Sequence, residues 1–457
     1  MDTTATKPTN TATGTELIAR IERIPLSRWH LRPRIVMGSA TFFDAFDALS
    51  IAFVLPVLIG AWHLKPTQIG SLISIAYLGQ VIGAVFFGFL AENIGRVRSA
   101  SWTIFLMSIM AIFCAFAPSY EALFVLRFIQ GIGVGGEVPV AATYINELSS
   151  AHGRGRFFML YEMIFPIGLL CTAQLGALIV PSLGWHWMFL VGGIPGLLIA
   201  AMVRTLPESP RWLIGKGRYE EAEQIIRQIE ASTPLRMAEE DRVPPPAVHA
   251  RAARGSVREL FSPFYRRRTF VVWTLWATAY FVANGLNNWL PSLYTTVYHL
   301  PVPQALRAAS LSNVFSTVAV FACALLIDKV GRKRWALAGY AVSGSLLLLL
   351  WWQGARTAAS VIGFGSSAYA AMGTVTVLLY LYTPEVYPTR IRAAGTALAT
   401  SWLRLASAAG PLLLGYLLST KGLPFVCLIF AGVSLLGAIV SMQMIETSQR
   451  RLEDIAP

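Results

Sequence analysis

The segment Gly88-Phe-Leu-Ala-Glu-Asn-Ile-Gly-Arg-Val-Arg98 has a second, similar copy in this chain, and this recurrence indicates the fold. The second copy, 236 residues later, is Ala324-Leu-Leu-Ile-Asp-Lys-Val-Gly-Arg-Lys-Arg334. In both copies an apolar run ends in an acidic residue, a glycine and a cluster of basic residues. A segment that returns after half of the chain indicates two halves with the same fold.

Charged residues elsewhere in the chain recur at nearly the same interval. A spacing of 238 residues separates Glu147 from Glu385, Arg154 from Arg392, and Glu208 from Glu446. Because these features keep the same order in both halves, the halves should run in the same direction. Parallel halves around a central axis, with a ligand held near the middle of the bilayer, are typical of transporters that alternate between two open states.

The composition favours a membrane protein over a soluble one. Charged residues make up only 13% of the 457 residues and apolar residues 55%, whereas a soluble domain carries roughly 25% charged residues. The four cysteines lie in apolar runs, which excludes a disulfide scaffold, and no Cys/His cluster has metal-ligand spacing. We therefore expect no metal or other cofactor. The net charge of +13 points to the lipid bilayer as partner and not to nucleic acid, since the composition leaves no soluble face to bind it.

Twelve apolar stretches are long enough to cross about 30 Å of hydrocarbon as helices. We place them at 35–60, 67–91, 99–117, 121–146, 157–180, 185–204, 269–297, 304–327, 335–353, 358–382, 393–418 and 422–443. The sequence thus divides into an N-terminal segment 1–34, a six-helix bundle 35–205, a linker 206–268, a second bundle 269–443 and a tail 444–457. The first 34 residues are polar, so we expect no cleavable signal peptide among them.

The short connectors between spans give the orientation, because Lys and Arg are enriched on the cytoplasmic side. One side carries Arg96, Arg98, Arg154, Arg156, Lys329, Arg332, Lys333, Arg334, Arg390 and Arg392. The other carries only Lys65, Arg307, Arg356 and Lys421. We predict an integral protein of the cytoplasmic (inner) membrane with both termini and the linker in the cytoplasm. Within the linker, 217–230 has the pattern of an amphipathic helix on the membrane surface, with a merely solvated helix as the alternative.

Four motifs together resemble the major facilitator superfamily over essentially the whole chain. They are Gly88–Arg98 with its repeat, Arg127–Glu137, Pro207–Trp212 and Pro384–Pro388. They are most similar to the branch shared by sugar porters, aromatic-acid/H⁺ symporters and the synaptic-vesicle-2 and niacin transporter group. Glu92, Asn93 and Ala324 depart from the usual motif residues. The resemblance implies an all-α membrane protein of twelve transmembrane helices in two pseudo-symmetric six-helix bundles.

The charged residues at the cytoplasmic helix ends are expected to form a gate. Pairs such as Glu147/Arg154 and Glu385/Arg392 can bridge the two halves when the inner side is closed. Each exposed pair contributes only about 0–1 kcal/mol, but several together can bias a two-state equilibrium. The predicted gate residues are Gly88, Glu92, Arg96, Glu147, Arg154, Glu208, Asp328, Arg332, Glu385, Arg392 and Glu446. The alternative is that these residues only fix orientation and cap helices.

Ionisable groups within the spans are functional candidates, since each costs about 2.5–3.5 kcal/mol to insert. Asp44 and Asp47 are three residues apart and share one helix face, so their mutual repulsion and burial should make one of them bind a proton readily. Their segment resembles the Asp-Gly-Phe-Asp signature of aromatic-acid/H⁺ symporters, with Ala45 in place of Gly. In related sugar/H⁺ symporters the residue matching Arg127 faces the first-helix Asp. We therefore predict that Asp47 alternates between Arg127 and a proton, with a static ion pair as the alternative.

Three further charged residues within the predicted spans are Arg404, Glu137 and Glu162, and each has more than one role consistent with the sequence. Arg404 lies about ten residues from either end of its predicted span and needs an anion, which is either the substrate carboxylate, bound bidentately, or a structural partner such as Glu137. Glu137 beside Pro139 is expected to be structural. Glu162 is either an interfacial carboxylate that reaches water or, by resemblance, a counterpart of a sugar-contacting Gln.

The remaining predicted substrate-binding residues are aromatic or amide side chains. They are Tyr280, Asn284, Asn287, Asn288, Trp289, Tyr369, Tyr380 and Trp402. Sugar porters typically carry a Gln-Gln pair at the position of Phe281 and Val282, and a Trp at that of Tyr380, although Asn287 matches one of their ligand-binding Asn. An aromatic pocket near Arg404 suits a flat ring with one carboxylate, while any single aromatic could be packing.

The sequence therefore predicts a proton-coupled symporter that imports a small aromatic or heteroaromatic monocarboxylate, such as nicotinate or a benzoate, by alternating access. The coupling ion is a proton. A sugar, or an organic cation or zwitterion held by Glu162, is the alternative ligand, and a non-transporting receptor is a more remote alternative. No nucleophile–base constellation among the spans indicates an enzyme. A monomer is expected, since one twelve-helix chain can form a complete pathway.

Overall fold

The computed structural model of the chain describes residues 10–24, 27–148, 163–232 and 257–448. Within these ranges the regular structure is helical, and twelve helices are long and apolar enough to cross a membrane. The predicted number and order of spans are thereby confirmed. Helix α1, Asn10–Arg23, precedes the first span.

The six spans of the first half are α2 Leu31–Trp62, α3 Pro66–Ile94, α4 Arg96–Ala115, α5 Tyr120–Leu148, α6 Ile164–Leu183 and α7 His186–Val203. Two short helices follow, α8 Pro210–Gly215 and α9 Tyr219–Ala231. The spans of the second half are α10 Arg266–Thr296, α11 Val302–Val330, α12 Arg332–Trp352, α13 Ala358–Glu385, α14 Thr389–Thr420 and α15 Leu423–Ser441.

Several spans are longer than their apolar stretches. Helix α2 begins at Leu31, α10 at Arg266 and α14 at Thr389, each about four residues before the predicted start. A helix keeps its backbone hydrogen bonds where it leaves the hydrocarbon, while its charged side chains reach water. Hydropathy therefore marks only the part inside the bilayer. The start predicted for the fifth span, residue 157, lies outside the described residues.

The repeated segment forms the same turn in both halves. Gly95 joins α3 to α4 with a φ of +109°, and Gly331 joins α11 to α12 with a φ of +94°. Backbone in this region is strained for residues with a Cβ. The glycine of the repeat therefore allows two spans to follow each other with a single residue between them.

The glycine-rich stretch of α5 packs directly against two neighbouring helices. A Cβ built on Gly131 would lie 2.1 Å from the carbonyl oxygen of Ala76 on α3, and one on Gly133 would lie 2.6 Å from the nitrogen of Met107 on α4. Such distances leave no space for a side chain, as expected where small residues let membrane helices approach closely. This packing fixes the position of Arg127 at the start of the stretch.

The apolar face of helix α9 packs against protein. Its apolar face, including Ile226 and Ile229, is buried against Leu17 and Ile21 of α1 and the side chains of α8. The guanidinium of Arg20 on α1 donates to both carboxylate oxygens of Glu230, at 3.0 and 2.7 Å. The predicted surface helix is wrong because α1 covers the apolar face that would otherwise need lipid.

The two halves are joined on one side of the molecule. We call the side on which α7 ends and α10 begins the linker side, and the opposite one the far side. Ser74 Oγ donates to the carbonyl of Ala408 at 2.6 Å, and a Cβ on Gly70 would lie 2.6 Å from the carbonyl oxygen of Pro411. Within the described ranges, the hydrogen bonds that cross between halves lie in the far part or the middle of the spans, and none lies at the linker side.

Candidate functional site

A buried ion pair lies at the centre of the first half. Arg127 Nη1 on α5 lies 3.3 Å from both carboxylate oxygens of Asp47 on α2, and the two residues are only 2% and 7% exposed. Gln130 bridges them, since its Nε2 donates to Asp47 and its Oε1 accepts from Arg127 Nη1 at 2.9 Å. A carboxylate removed from water is therefore stabilised by one cation and one amide.

Asp44 lies one turn from Asp47 in a different environment. It is 3% exposed, and its Oδ1 has no hydrogen-bond partner within the described structure. The nearest charges are those of Glu137 and Asp47, which repel its carboxylate, and that of Arg404, which attracts it. Glu137 itself accepts a hydrogen bond from Thr41 Oγ1 at 3.0 Å. Both predicted aspartates therefore face the protein interior and not lipid.

Arg404 on α14 reaches from the second half towards this acidic group. Its Nη2 donates to the carbonyl of Gly135 on α5 at 3.3 Å. Its Nε has no acceptor, and among the described residues no carboxylate lies within ion-pair distance of its guanidinium. The side chain is half-buried. Arg404, a permanently charged group in the middle of a span, thus keeps hydrogen-bond donors available for an anion.

Two tyrosine rings lie near Arg404, and both pack against Trp276. Tyr280 of α10 stacks on Trp276 with ring centroids 5.4 Å apart and an interplanar angle of 6°, and Tyr380 of α13 meets Trp276 edge-on at 4.8 Å. Both tyrosines are close enough to Arg404 to act on its charge. Trp276, absent from the predicted site, is fully buried and fixes the two tyrosines.

The amide side chains of α10 form a polar path towards the far side. Asn284 donates to Ser407 Oγ at 2.6 Å, one turn beyond Arg404 along α14. Asn288 donates to the hydroxyl of Tyr77 at 3.3 Å, which is a contact between the two halves. The Oδ1 of Asn288 is buried without a partner.

Tyr77 links this polar path to the ion pair of the first half. It lies close enough to Arg127, Asp44 and Asp47 to interact with them electrostatically.

Other predicted binding residues lie away from Arg404. The amide of Asn313 donates a hydrogen bond to the side-chain oxygen of Asn287. The side-chain oxygen of Asn313 accepts one from the hydroxyl of Tyr369 at 3.4 Å. Trp289 is fully buried and donates to the carbonyl of Pro411, so it packs within the second half.

Trp402 is 38% exposed, and its ring lies 5.7 Å from that of Trp273. Trp402 and Arg404 are two residues apart on a helix, so their side chains point to different faces. Glu162 lies outside the described residues.

The charged groups at the linker side pair within each half. Arg96 donates to Glu147 at 3.0 Å and to Glu92 at 2.8 Å. Glu208 accepts from the backbone N–H groups of Arg96 and Val97 at the start of α4. The partner predicted for Glu147, Arg154, lies outside the described residues.

The second half repeats this arrangement. Arg332 donates to Asp328 at 2.7 Å and to Glu385 at 3.4 Å, and Glu446 accepts from the backbone N–H of Arg332 at 2.9 Å. Arg392, the partner predicted for Glu385, donates to the carbonyl of Tyr387. Gly88 borders open space, where a Cβ would meet nothing within 4 Å. The acids thus lie next to the arginines of the repeated turn. Glu147 and Glu385 lie at the ends of α5 and α13, while Glu208 and Glu446 lie in the chain that follows the last span of each half.

The arrangement can hold a proton and an anion within one buried region. Asp47 and Asp44 are proton acceptors, Arg404 is an anion-binding group, and the aromatic rings provide a flat apolar wall. No group of three residues with metal-ligating side chains occurs in the described part of the chain. Gln130 could have been found from its position one turn after Arg127, whereas the positions of Tyr77 near Asp47 and Asn288 depend on helix packing.

Comparison with known proteins gives a consistent family. The model of the family "Sugar (and other) transporter" matches residues 37–457. The niacin transporter NiaP of Acinetobacter baylyi is 33% identical over 448 residues, covering 96% of this chain and 99% of that protein. The synaptic vesicle 2-related protein of Rattus norvegicus is 26% identical, covering 95% of this chain and 81% of its own length.

The fold also matches a solved structure. A partially occluded inward-open structure of the xylose transporter XylE from E. coli superimposes with a TM-score of 0.72 at 20% sequence identity, covering 93% of this chain and all of that one. The likeness establishes the twelve-helix architecture of two six-helix bundles predicted from the repeat. The relatives are transporters, in line with the prediction that the chain is not an enzyme.

Proposed function

The chain belongs to the sugar (and other) transporter family, and we propose that within it the protein is a proton-coupled symporter of a small aromatic or heteroaromatic monocarboxylate. We assign it to the cytoplasmic membrane, with the linker side in the cytoplasm, as the excess of Lys and Arg there indicates. Import of nicotinate or a benzoate is the expected activity. One twelve-helix chain supplies the whole pathway, so the functional unit is a monomer.

The observation that carries this proposal is the unequal pairing of two arginines within the spans. Arg127 is matched by Asp47 at 3.3 Å, whereas Arg404 has no carboxylate within ion-pair distance in the described structure and remains half-buried. A guanidinium in such a place gains most from an anion that arrives from outside. A carboxylate can accept two parallel hydrogen bonds from it, and its ring would then lie beside Tyr280 and Tyr380.

Coupling follows from the balance of charges in this region. A substrate carboxylate at Arg404 adds a negative charge close to Asp44 and Asp47, which raises the cost of keeping both aspartates ionised. Protonation of Asp47 removes that charge and weakens its hold on Arg127. The halves are then free to rearrange with one proton and one monoanion bound, and release of both on the other side restores the ion pair.

An aromatic ligand is favoured over a sugar by the chemistry of the lining. The neighbours of Arg404 include the rings of Tyr280 and Tyr380, whereas a polyhydroxylated ligand needs many hydrogen-bond partners. The similarity to a protein named as a niacin transporter supports the same substrate class. A sugar remains the second candidate, because the family model covers sugar transporters and the path from Asn284 to Asn288 offers amide groups.

The test uses Arg404→Ala and Arg404→Lys against a panel of nicotinate, benzoate, nicotinamide, xylose and choline. Thermal unfolding of the purified protein reports binding, because a ligand of the folded state raises its stability. We expect the wild type to be stabilised by the two carboxylates only. Arg404→Ala should lose this stabilisation, and Arg404→Lys should keep part of it, since lysine retains the charge without the planar fork.

The matched control is Arg356→Ala, an exposed arginine on the far side, which should bind the carboxylates like the wild type. Unchanged carboxylate affinity in Arg404→Ala, or stabilisation of the wild type by xylose or choline instead, would reject the proposed substrate class. In proteoliposomes, uptake of the ligand should follow an imposed pH gradient, worth about 1.4 kcal/mol per pH unit. It should respond little to an imposed membrane potential.

A further inference from the structure

An open groove lies on the outer surface of the second half, at the linker end of α10 and α15. It has a volume of about 470 Å³, within the range of ligand-binding pockets. The residues that line it are Arg266, Arg267, Phe270, Val271, Thr274, Val440 and Gln443. One end of the groove is therefore cationic, and its floor is apolar.

The three consecutive arginines at the start of α10 have different surroundings. Arg268 lies over the ring of Phe264 at 4.4 Å and donates to the carbonyl of Val386 at 3.4 Å. Arg266 and Arg267 are exposed, and no residue of the described structure accepts a hydrogen bond from either guanidinium group. Two of the three guanidinium groups thus line the groove with their donors unused.

We propose that this groove binds an anionic glycerophospholipid of the leaflet on the linker side. The phosphate accepts hydrogen bonds from Arg266 and Arg267, for which the planar guanidinium is well suited. One acyl chain lies along Phe270, Val271 and Val440. The amide of Gln443 can donate to an ester carbonyl between the headgroup and the chain.

The position of the groove along the membrane span favours a lipid over a soluble anion or a protein partner. Arg266 is the first residue of a membrane span, which places the guanidinium groups at the level of lipid headgroups. From there the groove runs along the span past Phe270 to Thr274, about 12 Å at 1.5 Å per residue, and therefore into the hydrocarbon. A free phosphate would fill only the cationic end and leave the apolar floor uncovered.

The test compares lipids in native mass spectrometry and in thermal unfolding of the detergent-purified protein. Dioleoylphosphatidylglycerol should remain bound and raise the unfolding temperature, whereas dioleoylphosphatidylcholine should do so much less. The double variant R266Q/R267Q should bind phosphatidylglycerol about 30-fold more weakly, as expected for two interfacial arginines. The control R307Q/R356Q, with two exposed arginines on the far side, should bind it like the wild type.

A second variant tests the apolar part without changing the charge. Thr274→Trp fills the floor of the groove and should weaken binding of the long-chain lipid while both arginines remain. Glycerol phosphate, which carries the phosphate but no acyl chains, should not stabilise the protein at the same concentration. Equal binding of the two lipids, equal loss in both arginine variants, or full stabilisation by glycerol phosphate would overturn the proposal. These outcomes are independent of substrate transport, so they leave the proposed function unaffected.

Discussion

Two aspartates one helical turn apart occupy different electrostatic positions. Asp47 receives hydrogen bonds from Arg127 and Gln130, while Asp44 has an unpartnered oxygen and lies near Glu137 and Arg404. Each ionised carboxylate in this region makes it harder to ionise the next one. We propose that Asp47, whose hydrogen bonds to Arg127 and Gln130 can be broken, carries the coupled proton, and that Asp44 responds to the charge near Arg404.

Asp47→Asn should separate coupling from transport. The amide has the shape of the carboxylate but cannot take up a proton, so we expect accumulation driven by a pH gradient to fall at least 100-fold. Exchange of labelled for unlabelled substrate should persist, because it needs no net proton movement. Both are measured as uptake of labelled substrate into proteoliposomes.

Glu121→Gln is the matched control for this experiment. Glu121 lies exposed in the first turn of α5, outside the buried region, and its variant should accumulate substrate like the wild type. Continued uphill accumulation by Asp47→Asn would show that another group carries the proton.

At the scale of whole elements, each half secures the start of one span with a distant glutamate. Glu208 accepts from the N–H groups of Arg96, Val97 and Ser209, and Glu446 accepts from those of Arg332 and Lys333. The first N–H groups of a helix have no partner within the helix, and its positive end attracts anions. The two glutamates therefore tie the chain that follows the last span of each half to the repeated turn.

Glu208→Ala should destabilise the folded protein. The variant leaves the N–H groups at the start of α4 without their acceptor, and loss of such a cap typically costs about 1–2 kcal/mol. Thermal unfolding in detergent measures the effect. The control is Glu220→Ala, an exposed residue at the start of α9, for which little change is expected.

The difference in stability between the wild type and Glu208→Ala should depend on pH in a defined direction. Burial raises the pKa of Glu208, while the N–H groups of Ser209, Val97 and Arg96 oppose that shift. A group whose pKa is raised by folding contributes stability that is fully present below its unfolded-state pKa of about 4.3 and is lost as the pH rises through the folded-state pKa. The stability gap between wild type and Glu208→Ala should therefore narrow as the pH rises across that window. A widening gap would contradict this assignment.

At the scale of the whole molecule, contacts between the halves hold the far side closed. Gly70 and Gly415 lie against the backbone of the opposite half, near Pro411 and Pro66 respectively. Further inward, the halves meet through Tyr77 with Asn288 and through Arg404 with Gly135. The groups proposed to bind proton and substrate thus lie at the inner end of the closed interface, where a change in their charge can affect closure.

Gly70→Val should prevent the far side from closing. The added side chain meets the carbonyl of Pro411, which is backbone and cannot move aside alone. We expect loss of transport together with increased labelling of Ser74→Cys by a membrane-impermeant maleimide added to the far side, because Ser74 is buried at this interface. Gly60→Val is the matched control, since a Cβ at Gly60 meets nothing within 4 Å. Active transport by Gly70→Val would contradict the role of this interface.

The number of spans, the two-fold repeat and the identity of the buried charges can all be predicted from the sequence. These properties depend on hydropathy, residue spacing and composition, which are local or periodic along the chain. The sequence also made Asp47 and Arg127 natural partners, although only through a family resemblance. It could not exclude Trp289 and Trp402 from the surroundings of Arg404, because an aromatic side chain serves packing and binding equally well.

Which side chains contact each other across the molecule depends on the tertiary structure. Glu147 lies beside Arg96, α9 lies against α1, and Tyr77 reaches Asn288 in the other half. Each of these contacts joins residues that are distant in sequence, and helix periodicity fixes a face but not the neighbour that covers it. The neighbour depends on how twelve helices pack at once, because the position and rotation of each helix are set by all of the others.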